Sequence, residues 1–430
     1  MRIIKLVSIF IIIFSILIGI WISRATVELT QGGVYTNILL PLGSQSIKIN
    51  ALRAVHAESP SLQSMQGPVV TYENDKMKLH WHCLNETFLK FYDIDTTSVS
   101  FDCLKRTHHF SIYPTPQYSE ANYEQATGEI AVIGDLEGNI AFFKDWAQAN
   151  GIIDTEDNWT FSDNHLVIIG DIVDRGRYVH DLLWYIYELE QKAKAKGGHV
   201  HVVIGNHEQY ILTGVLSRVE AEHLYATELL MPYTQAFARQ SVIGAWLRSK
   251  PIIIKLGDTL FVHGGIAKHV VADEWNIDMI NEAHWKSLST DIPSTEHKQV
   301  LYQSDSLTRY RGFADANNHK SKEYESAIAD TLEHFNVKQI VVGHTFVPEI
   351  KGVFDNRVWL TEVDDAKLQS LIIKNNIPYI VTTPSLKENY IDKGKQLRKF
   401  NLFNYDDWYA LFGGGDFVKT QSEVYEKYFE

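Results

Sequence analysis

The chain has 430 residues, of which 45% are hydrophobic and 22% charged, a composition typical of a folded protein that buries a sizeable core. Its formal net charge of −13 argues against a general nucleic-acid binder, because such proteins need a basic face to neutralise phosphates. The charge does not exclude an anionic ligand, since bound cations can reverse the local field.

The first 25 residues form a separate segment. Arg2 and Lys5 precede an apolar run from Leu6 to Ile22, and Ser23 and Ala25 then supply the small residues that a signal peptidase requires. The pattern predicts an export signal, either cleaved as a signal peptide or retained as a membrane anchor through residues 3–22. In both cases the remainder is expected outside the cytoplasm, as a periplasmic, secreted or outward-facing anchored protein.

Residues 26–67 are weakly patterned and are predicted to be a poorly packed lead-in segment. Residues 68–118 alternate apolar and polar side chains, which predicts a small β element. This element contains both cysteines of the chain, Cys83 and Cys103. They could bridge neighbouring strands in an oxidising compartment or remain as two buried thiols, and the sequence leaves both alternatives open.

From Glu129 onwards, apolar strands alternate with helical stretches, which predicts an α/β sheet whose functional loops follow the carboxyl ends of the strands. The catalytic domain is predicted to span 126–375. The predicted strands are Glu129–Ile133, His165–Ile169, His199–Ile204, Ile252–Lys255, Thr259–His263, Gln339–Val342 and Val358–Val363, and the first predicted helices are Ile140–Asn150 and Val179–Lys196.

Two further segments accompany this domain. Arg218–Leu247 is predicted to be one long helical insertion, which could form a lid over the site. Residues 376–430 form a C-terminal extension that is too aromatic to be a solvated linker, so it is expected to pack on the catalytic domain.

The ends of five predicted strands carry residues of the types that bind divalent cations. A lone Gly-Asp after a strand is usually a turn, and a lone core histidine usually packs, but here all five occur in order. Two adjacent cations need a bridging carboxylate and further oxygen and nitrogen ligands. The candidate metal ligands are Asp135, Glu137, Asp171, Asn206, His263 and His344.

The motifs GDIVDRG at 170–176 and GNHE at 205–208 resemble those of the calcineurin-like metallophosphoesterases, and within them the phosphoprotein phosphatase family. VVGHT at 341–345 and Tyr310-Arg311-Gly312 are most similar to the Shewanella-like protein phosphatases. The resemblance covers roughly 129–365. It implies an α/β fold in which a β-sandwich is flanked by helices, with the small N-terminal β element and the helical insertion as additions.

The resemblance also implies roles for the metal ligands. Asp135, Glu137 and Asp171 would hold the first metal, with Asp171 bridging to the second. The second metal would be completed by Asn206, His263 and His344. The nucleophile would be a hydroxide that bridges the two metals, so no phosphoenzyme is expected.

The remaining catalytic roles follow from the same resemblance. His207 would be the general acid, oriented by Asp174. Arg175 and Arg311 would clamp the phosphate through their planar guanidinium groups. Arg309 is a rival to Arg311, which is preferred because it lies in the Tyr-Arg-Gly match.

Glu137 departs from the family pattern, which has histidine at this position. A carboxylate is a harder, negatively charged ligand, which predicts manganese or magnesium in preference to softer ions and a bridging water that is less acidic. An alternative is that Glu137 turns away and the first metal is weakly held. The expected cofactors are two divalent ions, with manganese favoured and iron, zinc or magnesium possible.

The function predicted from these motifs is metal-dependent hydrolysis of phosphate monoesters, in phosphorylated proteins at Ser/Thr or Tyr, or in small phosphate esters. A nucleotide or dinucleoside-polyphosphate hydrolase is one alternative, because it shares the frame of the GDIVDRG motif. A non-catalytic metal- and phosphate-binding module is the other. No nucleic-acid partner is expected, given the acidic net charge.

Overall fold

The computed structural model of the protein describes residues 2–30, 33–51, 65–84, 86–125, 128–176, 178–289, 293–363, 368–383, 396–412 and 415–429. The N-terminal part consists of α1 (Arg2–Ile22), β1 (Thr26–Leu29), β2 (Tyr35–Leu42) and β3 (Gln45–Asn50). The described side chains from Val7 to Ile20 are largely exposed, whereas Ile22 is buried. Within the ranges given above, no helix combines the length and apolar character needed to cross a membrane.

A second group of strands follows. It comprises β4 (Gln66–Glu73), β5 (Lys76–Cys83), β6 (Glu86–Asp93), β7 (Ser98–Cys103) and β8 (Arg106–Ser111). The first three form one antiparallel sheet and the last two form a hairpin. A disulfide joins Cys83 at the end of β5 to Cys103 at the end of β7, so the bridged alternative is the one that the structure adopts.

The central part alternates strands and helices up to the third motif. Its elements are β9 (Asn122–Tyr123), β10 (Glu129–Ile133), α2 (Ile140–Ala149), β11 (His165–Ile168), α3 (Val179–Ala195) and β12 (His199–Val202).

Helices dominate the next part. Its elements are α4 (Asn206–Thr213), α5 (Ala221–Leu230), α6 (Tyr233–Ala236), α7 (Val242–Arg248), β13 (Ile253–Leu256), β14 (Thr259–Val262), α8 (Lys268–Ala272), α9 (Ile277–Ser287), α10 (Thr295–Leu301) and α11 (Lys322–His334), with a short 3₁₀ helix at Asn318–Lys320. The chain then continues through β15 (Gln339–Val342), β16 (Lys351–Val353), β17 (Val358–Leu360), β18 (Leu368–Lys374), β19 (Ile377–Thr383), β20 (Gln396–Lys399), α12 (Tyr405–Phe412) and α13 (Gly415–Phe429).

Two mixed sheets form the catalytic sandwich. One has the strand order β12-β11-β10-β18-β19, and the other has the order β16-β17-β15-β14-β13-β9. Strands β10, β11 and β12 run parallel, as do β14, β15 and β17, so their carboxyl ends meet at one edge. The predicted α/β sandwich flanked by helices is therefore confirmed.

Side chains alternate between the two faces of the first sheet. Leu166 and Ile168 of β11 pack in a cluster with helices α2 and α3. Val167 and Ile169 point the other way, into a cluster shared with Phe261 and other residues of the second sheet. Both faces of this sheet are buried, which explains why the sequences of its strands are nearly continuous apolar runs.

The lead-in prediction for residues 26–67 is wrong in its described part. Strands β1, β2 and β3 form an antiparallel sheet that β20 completes by pairing with β1. This sheet has its own core, in which Ile38 packs with Phe400 and Leu411. Residues 26–67 gave no clear signal of a sheet, because the strand that completes it, β20, comes from the far end of the chain.

The segment Arg218–Leu247 is helical, as predicted, and consists of the three helices α5, α6 and α7. Pro232 cannot continue a helix, and the Ser241 hydroxyl accepts a hydrogen bond from the amide of Gly244 and so begins α7. Leu224 and Leu230 of α5 are buried in the core with β4 and β5, so the helix is part of the scaffold and not a lid.

Candidate active site

The candidate site lies where the carboxyl ends of the parallel strands meet. The loops leaving these strands turn sharply, and several of their non-glycine residues adopt positive φ: Asp135 (48°), Glu137 (48°), Asp171 (49°), Asp174 (71°), Arg175 (53°) and His344 (64°). Such conformations are uncommon outside glycine and cluster at functional sites. Because of these turns, side chains from different loops point towards the same region.

One donor cluster is built on Asp171. Its carboxylate and the ring nitrogens of His263 and His344 lie within 4.8 Å of one another. His263 Nε2 is 3.1 Å from Asp171 Oδ2 and 3.1 Å from the Asn206 amide oxygen. His263 Nδ1 lies 2.6 Å from the carbonyl of Ile169 and donates to it, which leaves Nε2 as the atom facing the cluster.

The charge states of this cluster suit a metal ligand set. Burial opposes ionisation of Asp171, but His263 and His207 outweigh it and hold the pKa of the carboxyl far below its usual range. Burial, aided by the charge of His263, lowers the pKa of His344 to about 2. A neutral imidazole such as His344 beside an ionised carboxylate is the form in which both groups bind metals. Burial would lower the pKa of His263, but Asp171 outweighs it and raises that pKa, so a cation would have to displace the His263 proton.

The second donor cluster consists of Asp135, Glu137 and Glu362, whose carboxylate oxygens also lie within 4.8 Å of one another. Burial raises the pKa of Glu137 to about 8, although Arg175 opposes the shift by forming an ion pair with this carboxylate. Burial and the neighbouring Glu362 raise the pKa of Asp135 well above its usual range. Three buried carboxylates in contact repel one another, so the cluster fits a divalent cation.

Glu137 does not turn away from the site. Its carboxylate lies inside the second cluster and is buried, with the side chain 9% exposed. The backbone amide of Glu137 donates to the Asp171 carbonyl at 2.9 Å, which ties the first loop to the second. The side chain is therefore placed to act as a ligand.

His207 and Asp174 form a buried dyad. His207 Nδ1 lies 2.6 Å from Asp174 Oδ2, and Asp174 is fully buried. Burial alone would lower the pKa of His207, but Asp171 and Asp174 outweigh it and raise the pKa to about 9. The imidazole is thus protonated at neutral pH, with Nδ1 held by Asp174 and Nε2 available for a proton transfer.

The two candidate arginines after the fourth motif differ in how they are held. Arg311 donates to the His344 carbonyl and to the Thr345 hydroxyl, both at 3.2 Å, and remains exposed. Arg309 donates to the Tyr302 carbonyl at 3.0 Å and to the Tyr425 hydroxyl at 2.9 Å. Each guanidinium thus has two partners within the protein and lines the same cavity, and Arg311 is the more exposed of the two and is tied to the loop that carries His344.

A cavity of about 790 Å³ lies over His207 and the arginines. Its wall includes Asn37 of β2 and Lys48 of β3, so the N-terminal sheet reaches the site. The cationic side chains that line the cavity are Lys48, Arg175, Arg218, Arg309 and Arg311. This concentration gives a positive cleft on a protein whose net charge is −13.

Sequence reasoning missed two residues of the site. Glu208, the last residue of GNHE, accepts backbone hydrogen bonds from Asp171 and Gly205 on one oxygen and from Ile172 and Val173 on the other, at 2.8–3.1 Å. It therefore locks the second and third loops together. Its place inside the quoted motif was an available signal.

Glu362 is the other missed residue. It follows the carboxyl end of β17, which is parallel to β15, so its strand-end position was a usable signal. Burial raises the pKa of Glu362, as it does for Asp135, and one of its carboxylate oxygens is buried without a hydrogen-bond partner in the described structure. Glu362 is thus a seventh candidate ligand beside the six predicted ones, all of which the structure brings to this edge of the sandwich.

The sequence model of the calcineurin-like phosphoesterase family matches residues 128–348, and the chain belongs to this family. Among curated proteins it is similar to Shewanella-like protein phosphatase 1 of Plasmodium berghei (strain Anka), with 26% identity over 57% of this chain and 69% of the relative. It is also similar to Shewanella-like protein phosphatase 2 of Arabidopsis thaliana, with 22% identity over 55% of this chain and 71% of the relative.

Among solved structures, the chain is similar to the cold-active protein-tyrosine phosphatase of a psychrophilic Shewanella species. The TM-score is 0.66 and the identity is 29%, over 74% of this chain and 99% of that one. The predicted resemblance to Shewanella-like protein phosphatases is confirmed. The protein is a hydrolase acting on phosphoric ester bonds, with His and Asp clusters that fit a dinuclear metal site.

Proposed function

We propose that the protein is a phosphomonoesterase that removes phosphate from phosphorylated proteins by direct attack of water. The observation that carries the proposal is the buried His207–Asp174 dyad, protonated and facing a cationic cleft beside two metal-donor clusters. A non-catalytic binding module would have no use for a proton donor held at a fixed atom.

In this proposal the two donor clusters hold one divalent cation each. Asp135, Glu137 and Glu362 would hold the first cation, and Asn206, His263 and His344 the second, with Asp171 shared between them. The carboxylate-rich first cluster supports manganese or magnesium in preference to softer ions. When bound, the cations lower the pKa of the attacking water and stabilise the charge that develops on the phosphoryl oxygens.

The chain's own residues then perform the remaining steps. Arg175 and Arg311 bind the phosphoryl oxygens and orient the phosphorus towards the attacking water. His207 Nε2 donates its proton to the ester oxygen as the bond to phosphorus breaks, which lets the leaving group depart as a neutral alcohol. Asp174 keeps Nδ1 protonated and stabilises the imidazolium before transfer. General acid catalysis of this kind contributes roughly 10²–10⁴-fold in rate.

The open cleft supports a protein substrate. A cavity of about 790 Å³ with Lys48, Arg218 and Arg309 beyond the phosphate-binding arginines leaves room for residues on both sides of a phosphorylated side chain. The relatives that carry a function in their names are protein phosphatases. Phosphotyrosine, phosphoserine and phosphothreonine peptides, compared in the substrate panel, distinguish which phosphorylated side chain is preferred.

The test is a substrate panel with the purified, manganese-loaded protein. We expect kcat/KM to be highest on phosphopeptides, and lower on p-nitrophenyl phosphate and on a dinucleoside tetraphosphate. Preference for the tetraphosphate would replace the proposal by a nucleotide hydrolase. Binding of inorganic phosphate without turnover of any ester would show a non-catalytic module.

We also propose that the protein acts outside the cytoplasm. The disulfide between Cys83 and Cys103 supports an oxidising compartment, and the basic and apolar N-terminal segment supports export. Cell fractionation with thiol labelling tests this location and separates a cleaved form from an anchored one. A cytoplasmic protein with two reduced thiols would contradict the proposal.

A further inference from the structure

Three histidines share one face of the first catalytic sheet. His165 begins β11 and His199 begins β12, and the two residues are direct partners in the parallel register. His201 lies two residues further along β12, so its side chain points to the same face. This histidine cluster, defined as His165, His199 and His201, was not among the candidate site residues of the sequence.

The imidazoles converge closely. One ring nitrogen of each histidine lies within 4.8 Å of the others, and His165 Nδ1 is 2.9 Å from His201 Nε2. The ring of His165 stacks on that of His199, with centroids 4.7 Å apart, and on that of His201, with centroids 5.2 Å apart. The ring nitrogens therefore lie close enough to share one ion once the imidazoles rotate out of their nearly parallel stacking.

The histidine cluster lies at the end of the sheet opposite to the active site. His165 starts the strand after which Asp171 follows, and six residues of extended chain span roughly 20 Å. A cavity of about 280 Å³ opens beside the histidine cluster and is lined by His199 and His201 together with Tyr123, Glu190 and Lys250. An ion bound here would be separate from the two cations of the active site.

The surroundings favour the neutral, ligand form of His201. His165 is 3% and His201 is 8% exposed, whereas His199 reaches solvent. Burial lowers the pKa of His201 well below its usual range, and His165, His199 and Lys250 add to the effect. The Lys250 ammonium is itself paired with the Glu190 carboxylate at 2.7 Å, which offsets its charge. Neutral imidazoles have lone pairs available for a metal.

We propose that His165, His199 and His201 form a third metal site that takes a transition-metal ion of borderline softness, Zn²⁺ above all, with one coordination position open to the adjacent cavity. Three imidazoles and no carboxylate favour such ions, whereas the carboxylate-rich active site favours harder ones. Zn–N bonds are about 2.0–2.1 Å long, so tetrahedral binding requires the His165 and His201 nitrogens to separate by only about 0.4 Å.

The test counts bound metal in the whole chain and in two histidine variants. His199→Ala removes the exposed member of the cluster, and His109→Ala removes an exposed histidine from the β7–β8 hairpin as a matched control. After equilibrium dialysis against Zn²⁺, elemental analysis should show about one ion per chain fewer in His199→Ala than in the wild type. The control should retain the wild-type count.

A second measurement adds another cluster variant, so that the conclusion does not depend on His199→Ala alone. Titration with Co²⁺ should give visible absorption bands from the histidine cluster that weaken in His199→Ala and in His201→Asn but persist in His109→Ala. The Zn²⁺ affinity of this site should fall by more than roughly tenfold in both cluster variants. Equal metal counts and equal titrations in all four proteins would show that the cluster is only a hydrogen-bonded packing network, and the proposal would be overturned.

Discussion

At the scale of single residues, the chemistry depends on how one imidazole is held. Asp174 is completely buried, and its carboxylate fixes both the position and the protonation of His207. The backbone amide of His207 donates to the Asp171 carboxylate at 3.0 Å, so the proposed acid is also tied to the proposed shared metal ligand. Proton delivery and metal binding are therefore set by the same two loops.

The substitution His207→Asn tests the proposed role of His207 as general acid, because the loss of activity should depend on how good the leaving group is. We expect kcat on a phosphoserine peptide to fall by roughly 10²–10⁴-fold, because the alkoxide then leaves without a proton. The loss on p-nitrophenyl phosphate should be much smaller, since nitrophenolate is a good leaving group. Steady-state kinetics on both substrates provide the check, with His109→Asn as the control. An equal loss on both substrates would assign His207 a role other than the acid.

Glu137 is the residue at which the chain departs from its family. Glu137→His replaces a buried carboxylate by a softer, neutral ligand and frees Arg175 from its ion pair. We expect the alkaline pH optimum to move to lower pH and the preference for manganese over zinc to decrease. Complete pH–rate profiles with each metal measure this, and Glu282→His on the exposed face of α9 is the control. An unchanged profile would count against a ligand role for Glu137.

The six candidate ligand positions could be predicted because each follows a buried strand, and this pattern is local in the sequence. Glu208 and Glu362 were missed for different reasons. Glu208 lies inside the GNHE motif, which was a signal, but its role depends on four backbone amides from two loops that the motif does not show. Glu362 had a strand-end position, but its closeness to Asp135 follows from strand order, which the sequence does not give.

At the scale of elements, the disulfide joins two separate antiparallel units. Cys83 ends β5 of the three-stranded sheet, and Cys103 ends β7 of the hairpin. Phe101 stacks on Trp81 with centroids 4.7 Å apart, so aromatic packing supports the same junction. The disulfide therefore reinforces a junction that aromatic packing already stabilises. It also limits how far the unfolded chain can expand.

Replacing both cysteines by serine should lower the free energy of unfolding by about 3 kcal/mol, the value expected for closing a loop of this length. The two cysteines are 20 residues apart in sequence. Urea denaturation of the Cys83→Ser, Cys103→Ser protein against the wild type measures the difference. Coincident unfolding curves would mean that the disulfide adds nothing to stability. Phosphatase kinetics should change little, because the bridge does not line the cleft.

A second element-scale feature joins the two ends of the chain. The Asp407 carboxylate of α12 accepts hydrogen bonds from Arg398 and from the Tyr35 hydroxyl, each at 2.7 Å, and from the amide of Asn401. Arg398 belongs to β20 and Tyr35 to β2, so one buried acid connects α12 to two strands of the N-terminal sheet. Burial opposes ionisation of Asp407, but Arg398 and Asn401 outweigh it and lower its pKa.

Asp407→Asn should therefore have a pH-dependent effect on stability. A carboxyl with a lowered folded pKa stabilises the protein above its unfolded pKa of about 3.9, and this contribution is lost as pH falls through the folded value. We expect the variant to be about 3 kcal/mol less stable at neutral pH, with the gap narrowing in acid. Urea titrations at neutral and acidic pH provide the measurement, and the exposed Asp330→Asn is the control. A gap independent of pH would rule out the ionised carboxylate as its cause.

The sheet that Asp407 supports could not be predicted from the sequence. Strand β1 pairs with β20 across more than half of the chain, and neither strand alternates clearly enough to be recognised alone. The strands of the sandwich were predicted well because both of their faces are buried and their apolar runs end in turn residues. Long-range pairing without such a pattern is decided by tertiary packing.

At the scale of the whole molecule, charge is distributed unevenly. The chain carries a net charge of −13, yet its main cleft is lined by lysine and arginine. An anionic substrate is repelled by most of the surface and attracted by one region. This arrangement should guide substrates with acidic residues beside the phosphate, and the effect should weaken as salt screens the cleft.

Lys48→Gln tests this distribution because Lys48 lies on the N-terminal sheet, away from the metal ligands. We expect KM for an acidic phosphopeptide to rise by about two- to fivefold at low salt with little change in kcat, since an exposed charge contributes up to about 1 kcal/mol. The difference should vanish at high salt. Kinetics across ionic strength are the measurement, and the exposed Lys105→Gln is the control. A salt-independent change in KM would point to a direct contact instead.

The last helix also takes part in the cleft. Phe429 is buried against Tyr210 and Tyr302, and the Tyr425 hydroxyl holds Arg309. Tyr210 follows the proposed proton donor His207 by three residues and contacts its ring edge-on, so the last turn of α13 supports the wall of the candidate active site. An affinity tag or reporter fused close behind α13 would therefore crowd the entrance for substrates, and a tag for kinetic work is better placed elsewhere.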